Sequence, residues 1–258
     1  MKKIIIFILL IFITACNNSS NTNISENTNE TASITNDIYS NKTLKVGIYL
    51  YDYPMLYVSN DNINGFDYDI INAIANEENL KLEFIPIQFS QLISALQTNY
   101  IDLIIAGMSI TEERKQLVNF SDKYCSSGQG IIVNKKNDEI KLNDDLIGKT
   151  VGVIKGTISD NIISKVDGVN VKRFNIAGGA LLSLKLNKID AVMLDTITCE
   201  DYIKFDDTIK LAENISFQMT DYAIAVRKDD DILLQTINRG LHAIMSNGVY
   251  QKLVDQHL

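Results

Sequence analysis

Ser109, Thr111 and Arg114 follow directly on the apolar run 101–106, so two hydroxyls and a long cation stand at the point where a buried strand gives way to a helix. Thr111 suits a helix N-cap, and Glu112 with Glu113 suits the first helical turn. Backbone N–H groups at such a junction, the Ser109 hydroxyl and the Arg114 guanidinium together form an anion site, since a guanidinium holds a carboxylate through two parallel hydrogen bonds. The spacing also allows a plainer reading, in which "TEERK" is a solvated charged face. A second polar residue, Asp195, closes another apolar run, 189–194, and from spacing alone it suits either a ligand contact or the N-cap of a helix over "TITCEDYI".

These residues need elements to hold them. From Leu44 the pattern alternates: 44–49 reads as a strand, 66–78 as a helix with Phe66, Ile70 and Ile74 on one face, 81–87 as a strand, 90–98 as a helix and 101–106 as a strand. The same order recurs with strand 150–154, helix 159–166, strand 169–174, helix 179–187 and strand 189–194. Two α/β units follow, each a mainly parallel sheet flanked by helices. "LISALQTNYIDLIIAG" and "ALLSLKLNKIDAVMLD" align without a gap, with Asn99 over Asn187 and Ile101-Asp102 over Ile189-Asp190. The stretch 126–130, rich in Ser and Gly, predicts a flexible hinge or crossover between the units. Residues 222–227 read as a strand returning to the first unit, and 231–257 as a long helical region closing it. Ligands of open α/β sheets gather outside the carboxyl ends of the strands, so Ser109 and Asp195 are expected to face one cleft.

The N-terminus has a different character. Lys2 and Lys3 precede the apolar run 4–13, which is shorter than the roughly 20 residues of a spanning helix, and Thr14, Ala15 and Cys16 follow. This predicts a signal peptide over 1–15, and its ending resembles the bacterial lipoprotein signal in which the cysteine, here Cys16, is lipidated. Residues 16–43, dominated by Asn, Ser and Thr, then form a flexible tether. Loss of 1–15 removes two lysines and no acid, taking the formal charge from −8 to −10. So acidic a body argues against nucleic acid as a partner. Cys125 and Cys199 lie too far apart in sequence for pairing to be deduced, and two free thiols are expected.

"NGFDYDIINAIA", "LISALQTNYIDLIIAGMSITEERKQLVNFSDKY", "LIGKTVGVIKGT" and "IDAVMLD" resemble, in order and spacing, the signature segments of the extracellular solute-binding proteins of polar amino-acid ABC transporters (family 3). The resemblance covers most of 44–258 and implies the two-lobed periplasmic-binding-protein type 2 fold, with 44–127 and 223–258 as lobe 1 and 128–222 as lobe 2. It implies a monomer that binds a free amino acid, closes about its hinge and delivers the ligand to ABC permease subunits, outside the cytoplasm and anchored by the Cys16 lipid.

The resemblance further implies that Arg114 and Ser109 receive the α-carboxylate and Asp195 the α-ammonium. Backbone groups at Ala106 and Gly107 would line the same wall, Gly156 and Thr157 would present N–H groups from the second lobe, and Phe89 would pack on the side chain. Two departures bear on specificity. In "GIYLYDYPMLY" Tyr49 stands where the family has an acid and Asp52 where it has an aromatic, and Ile158 replaces a common hydroxyl residue while keeping its backbone N–H. Asp52 with Tyr51 or Tyr53 would suit a cationic or strongly polar side chain.

No catalysis, cofactor or metal is expected. His242 and His257, the two histidines, lie in the C-terminal helical region, away from any nucleophile near the cleft. No Cys/His cluster has metal-ligand spacing, and "GKT" at 148–150 lacks the first glycine of a phosphate loop, Asn143 standing there. The rival readings are an enzyme of the same fold, such as a dehydratase, a ligand-sensing receptor, or an adhesin.

Overall fold

The computed structural model describes Tyr39, residues 42–213, Ile215 and residues 217–258. The expectations for 1–15, for Cys16 and for most of the tether lie outside the described residues.

Two five-stranded sheets form the body. The first contains β1 (Thr43–Ile48), β5 (Lys81–Pro86), β6 (Leu103–Ile104), β7 (Asn119–Ser127) and β13 (Thr220–Val226), in the order β5-β1-β6-β13-β7. The second contains β8 (Gln129–Asn134), β9 (Thr150–Ile154), β10 (Asn170–Phe174), β11 (Ala191–Asp195) and β12 (Ile209–Leu211), in the order β10-β9-β11-β8-β12. Three strands of each sheet run parallel, as a β-helix-β repeat requires, and antiparallel partners complete both. A small antiparallel meander of β2 (Tyr51–Asp52), β3 (Leu56–Ser59) and β4 (Asn62–Asn64) follows β1, an element the apolar pattern did not reveal.

Helix α1 (Phe66–Glu78) falls on the expected residues and buries Phe66, Ile70, Ile71 and Ile74 completely. Each such side chain contributes about 1.5–3 kcal/mol when fully buried. The short helix α2 (Leu92–Gln97) and one turn, α3 (Glu112–Lys115), complete this part of the first lobe. The second lobe carries α4 (Ile158–Ile163), α5 (Ala177–Lys185) and α6 (Thr196–Phe205). The long C-terminal helical region is two helices, α7 (Asp231–Ser246) and α8 (Val249–His257), parted by a turn at Asn247 and Gly248. Phe66 packs against rings of α8, Tyr250 at 6.1 Å and His257 at 6.2 Å between centroids, which ties the C-terminus to the first lobe.

The aligned segments share more than an outline. Asn99 and Asn187 both adopt left-handed backbone, with φ of 59° and 52°. Asp102 then accepts from the Lys45 N–H at 2.9 Å and Asp190 from the Thr150 N–H at 2.7 Å. In both lobes the carboxylate therefore clips the incoming strand to its parallel neighbour. In the first lobe Arg227 adds a donor to the Ile101 carbonyl at 2.9 Å and an ion pair to Asp102 at 3.4 Å.

Two expectations need correction. The run 101–106 pairs as a strand only at Leu103–Ile104, because Asp102 is spent on the clip and Gly107, at φ +55°, turns the chain out of the sheet. The stretch 126–130 is the expected crossover between the units, but it is not loop throughout. Strand β7 runs through Ser127 and β8 begins at Gln129, so Gly128 alone separates them as the chain passes from one sheet to the other. Ser126 and Ser127 are paired with Asp221 and Thr220 on β13, the strand by which the chain returns.

Candidate functional site

Lobe meets lobe at the carboxyl ends of the parallel strands. One apolar cluster runs through the cleft, joining Tyr49, Phe89 and Leu92 of the first lobe to Ile154, Ala177 and Leu194 of the second. Hydrogen bonds that cross it include Arg114 Nη2 to the Gly156 carbonyl at 3.0 Å, Thr198 Oγ1 to Asp52 Oδ1 at 3.0 Å, Tyr49 OH to the Asn175 carbonyl at 2.7 Å, and Asn161 Nδ2 to Glu113 Oε2 at 3.2 Å. The lobes are thus closed on one another.

Arg114 is held from both sides. Thr111 caps α3, accepting the Arg114 N–H at 3.1 Å, which settles its predicted role as N-cap. The guanidinium, 9% exposed, donates through Nη1 to the Ser109 carbonyl at 2.7 Å and lies 5.4 Å from the centre of the Phe89 ring. It is therefore no solvated charge. Burial lowers its pKa to about 10, against the pull of Asp195 and Glu113, so it stays cationic. Ser109 is buried, with its hydroxyl 3.1 Å from that of Thr220.

Asp195 does occupy the N-terminal position of α6, yet its side chain makes no capping bond. The carboxylate instead accepts from Gln129 Nε2 and from the Tyr222 hydroxyl. Ser159 donates in turn to Gln129 Oε1, which orients the amide. Burial raises the Asp195 pKa despite these donors and the nearby Arg114. For Asp52, burial together with the Asp195 charge raises the pKa to about 8, opposed only in part by the Thr198 hydroxyl. Two carboxylates thus share one enclosed space.

That space is lined by Asp52, Asp195, Thr198, Phe89, Ile158 and Tyr49, with Gly107, Ser109 and Thr157 among the remaining walls. Arg114 opens onto an adjoining space that shares Thr157 and Ile158 with it. Phe89 meets Tyr49 edge-on at 6.0 Å and so forms a rigid apolar wall.

The Ala106 side chain sits in the core beneath the cleft. Tyr53 lies at the outer mouth, its ring 4.5 Å from that of Tyr57. The N–H groups of Gly156 and Thr157 are not turned to the cleft: the first donates to Asp160 Oδ2 at 3.0 Å and the second to the Ile154 carbonyl at 3.2 Å. What this turn offers the first lobe is the Gly156 carbonyl. The Gly107 N–H is likewise engaged, by Asp67 Oδ2 at 2.7 Å.

Asp67 escaped the sequence reading although its signal is there, an acid at the first place of an i, i+3, i+4, i+7 apolar stripe with Ile70, Ile71 and Ile74. It is fully buried, accepts the Tyr124 hydroxyl at 2.7 Å and braces the Gly107 turn from behind. Burial raises its pKa to about 7. Gln129, Thr198 and Tyr222 were also missed, since each acts by orienting another side chain.

Cys125 and Cys199 are free thiols. Among the described residues no group of His, Cys, Asp and Glu is arranged to hold a metal ion, and no helix is long and apolar enough to cross a membrane.

A two-lobed α/β body with buried ions of both signs in its cleft defines a small-molecule binding protein. The chain belongs to the bacterial extracellular solute-binding proteins, family 3, whose pattern it matches over residues 44–258. It is 31% identical over 271 residues to a probable histidine-binding protein of Campylobacter jejuni, covering 100% of this chain and 99% of that one. A variant of ArgBP from T. maritima superposes with a TM-score of 0.82 at 39% identity, covering 86% of this chain and 98% of that one. An ancestral arginine-binding protein bound to glutamine superposes with a TM-score of 0.80 at 40% identity, covering 84% and 97%.

Proposed function

We propose that the chain binds a basic L-amino acid and presents it to the permease of an ABC transporter. Arg114 and Ser109 take the α-carboxylate, Asp195 the α-ammonium and Asp52 the cationic side chain. The observation that carries this reading is that two carboxyl groups, Asp52 and Asp195, line the inner cavity with the Arg114 guanidinium beside it. A zwitterion bearing one further positive charge is its complement. A cationic guest draws Asp52, whose pKa burial raises to about 8, into its ionised form and pairs with it, whereas a neutral amino acid leaves it protonated and gains no ion pair. The histidine- and arginine-binding relatives support the same class of ligand.

Binding follows from an exchange of partners. A guest offers Arg114 a carboxylate in place of the Gly156 carbonyl, and Asp52 a cation in place of the Thr198 hydroxyl. Both lobes contribute only when they close, so the ligand shifts the open-to-closed equilibrium by its differential affinity for the closed form. The two strand crossings, at Gly128 and between β12 and β13, serve as the hinge. The closed shape is then what the permease recognises, with no chemistry performed on the ligand. The reading extends to a signal peptide over 1–15 and a lipid on Cys16, which would hold a monomeric body outside the cytoplasm on its tether.

Isothermal titration with L-arginine and with its neutral isostere citrulline tests this reading. Arginine is expected to bind at least about tenfold more tightly, the equivalent of roughly 1.4 kcal/mol, and the difference is expected to vanish in Asp52→Asn. Equal affinities in the parent protein would refute the role of Asp52.

A further inference from the structure

The closed inner cavity encloses only about 30 Å³, room for about one water molecule. A long side chain anchored at its α-carbon by Arg114 and Asp195 extends toward one of the spaces that adjoin this cavity. The space on the Arg114 side is lined by Arg114, Lys165 and Arg173 against Glu113 and Asp160, with Arg173 ion-paired to Asp160 at 2.9 Å, so it keeps an excess of positive charge that disfavours a cationic head group. A second space, of about 550 Å³, is lined by Tyr51, Tyr53, Tyr57 and Tyr202 with Leu50, Val58, Ile176 and Gly178, and among the described residues its lining holds no cation. Tyr51 borders both this mouth and the inner cavity, so the two spaces adjoin, with Asp52 on the inner side.

The mouth has the makings of a cation-π site. Tyrosine faces attract positive charge, and attract it whether or not the nitrogen still carries hydrogens. Tyr51 is 54% exposed and lies 5.8 Å from Tyr49, which leaves much of its surface to a guest. Acids flank the rings at either end: Asp52 raises the pKa of Tyr202, and Asp201 those of Tyr53 and Tyr202, though burial is the larger cause in each.

Resting on the basic-amino-acid reading above, we propose that this tyrosine mouth is an outer subsite for the head group of long basic side chains, including N-methylated ones such as trimethylated lysine. Asp52 attracts the charge at the inner end and the rings surround it beyond. A quaternary nitrogen has no N–H to offer a carboxylate, so only the aromatic faces can seat it.

Titration of the full chain with L-lysine and with Nε-trimethyl-L-lysine decides the matter. Trimethyl-lysine is expected to bind within about fivefold of lysine, and Tyr202→Leu and Tyr53→Leu are each expected to weaken it by about fivefold or more. Neither substitution should change binding of 2,3-diaminopropionate, whose amine stops short of the mouth. Lysine binding with no detectable trimethyl-lysine binding overturns the subsite alone, as does trimethyl-lysine affinity untouched by both substitutions. Failure of lysine itself to bind overturns the basic-amino-acid reading and the subsite with it.

Discussion

Arg114 and Gly156 join the two lobes directly: the guanidinium of the first donates to the carbonyl of the second across the cleft at 3.0 Å, while its other arm holds the Ser109 carbonyl at 2.7 Å. A cation that fastens the closed form in this way is also the natural seat of a guest's carboxylate. Arg114→Ala is expected to cost ligand binding about 3–5 kcal/mol, the usual penalty for removing one partner of a buried ion pair. Arg114→Lys should recover little, for lysine lacks the planar fork. Calorimetry reads the loss, and parent affinity in Arg114→Ala would contradict the assignment.

Gly156 makes a separate prediction. At φ +81° it occupies backbone that side chains disfavour, and a Cβ there would stand 3.0 Å from Ser90 Cβ and 3.1 Å from Ser90 Cα, on the opposite lobe. Ser90 approaches only when the lobes shut. Gly156→Ala should therefore leave the open form folded while opposing closure. Small-angle scattering in saturating ligand is expected to show the variant more extended than the parent; identical compaction would contradict the steric argument.

The raised acids fix a pH dependence. Asp52, at about 8, and Asp67, at about 7, both exceed the ordinary carboxylate value of 3.8, so the folded state holds their protons more tightly than the unfolded chain does. Their contribution to ligand-free stability is whole below about pH 4 and is lost as pH rises through about 7 and 8. Ligand binding has the opposite sign. A cationic guest favours ionised Asp52, so affinity should rise with pH toward about 8, with proton release near neutrality. Titrations in buffers of different ionisation enthalpy measure that release, and its absence would argue against a cation at Asp52.

Asp67 supports the site from behind. Asp67→Ala strands the buried Gly107 N–H and Tyr124 hydroxyl, which costs about 1–3 kcal/mol for each group left unsatisfied. Asp67→Asn keeps an acceptor and is expected to lose less. Urea unfolding of the ligand-free protein checks this; an unmoved midpoint for Asp67→Ala would contradict it.

Local pattern carried the α/β grammar well where one face is buried: α1 is legible because Phe66, Ile70 and Ile74 repeat with helical spacing. It failed where pairing is long-range. The Ser- and Gly-rich composition of 126–130 suggests a loop, yet Ser126 and Ser127 are fastened in a ladder to residues more than ninety positions away. The same distinction governs the site. Arg114, Ser109 and Asp195 stand at strand ends where the sequence itself changes character, whereas Gln129, Thr198 and Tyr222 matter through the carboxylates they orient, and nothing in their own neighbourhoods marks them. Asp52 was conspicuous only as an acid in an aromatic's place, and its partnership with Asp195 emerged from the closed lobes.

The most direct test is a crystal structure of the chain with L-arginine. The account predicts the ligand carboxylate on the Arg114 guanidinium, its α-ammonium on Asp195 and its side-chain cation at Asp52, with the Arg114 to Gly156 bond exchanged for one to the guest. A bound arginine touching neither Arg114 nor Asp195 would contradict it.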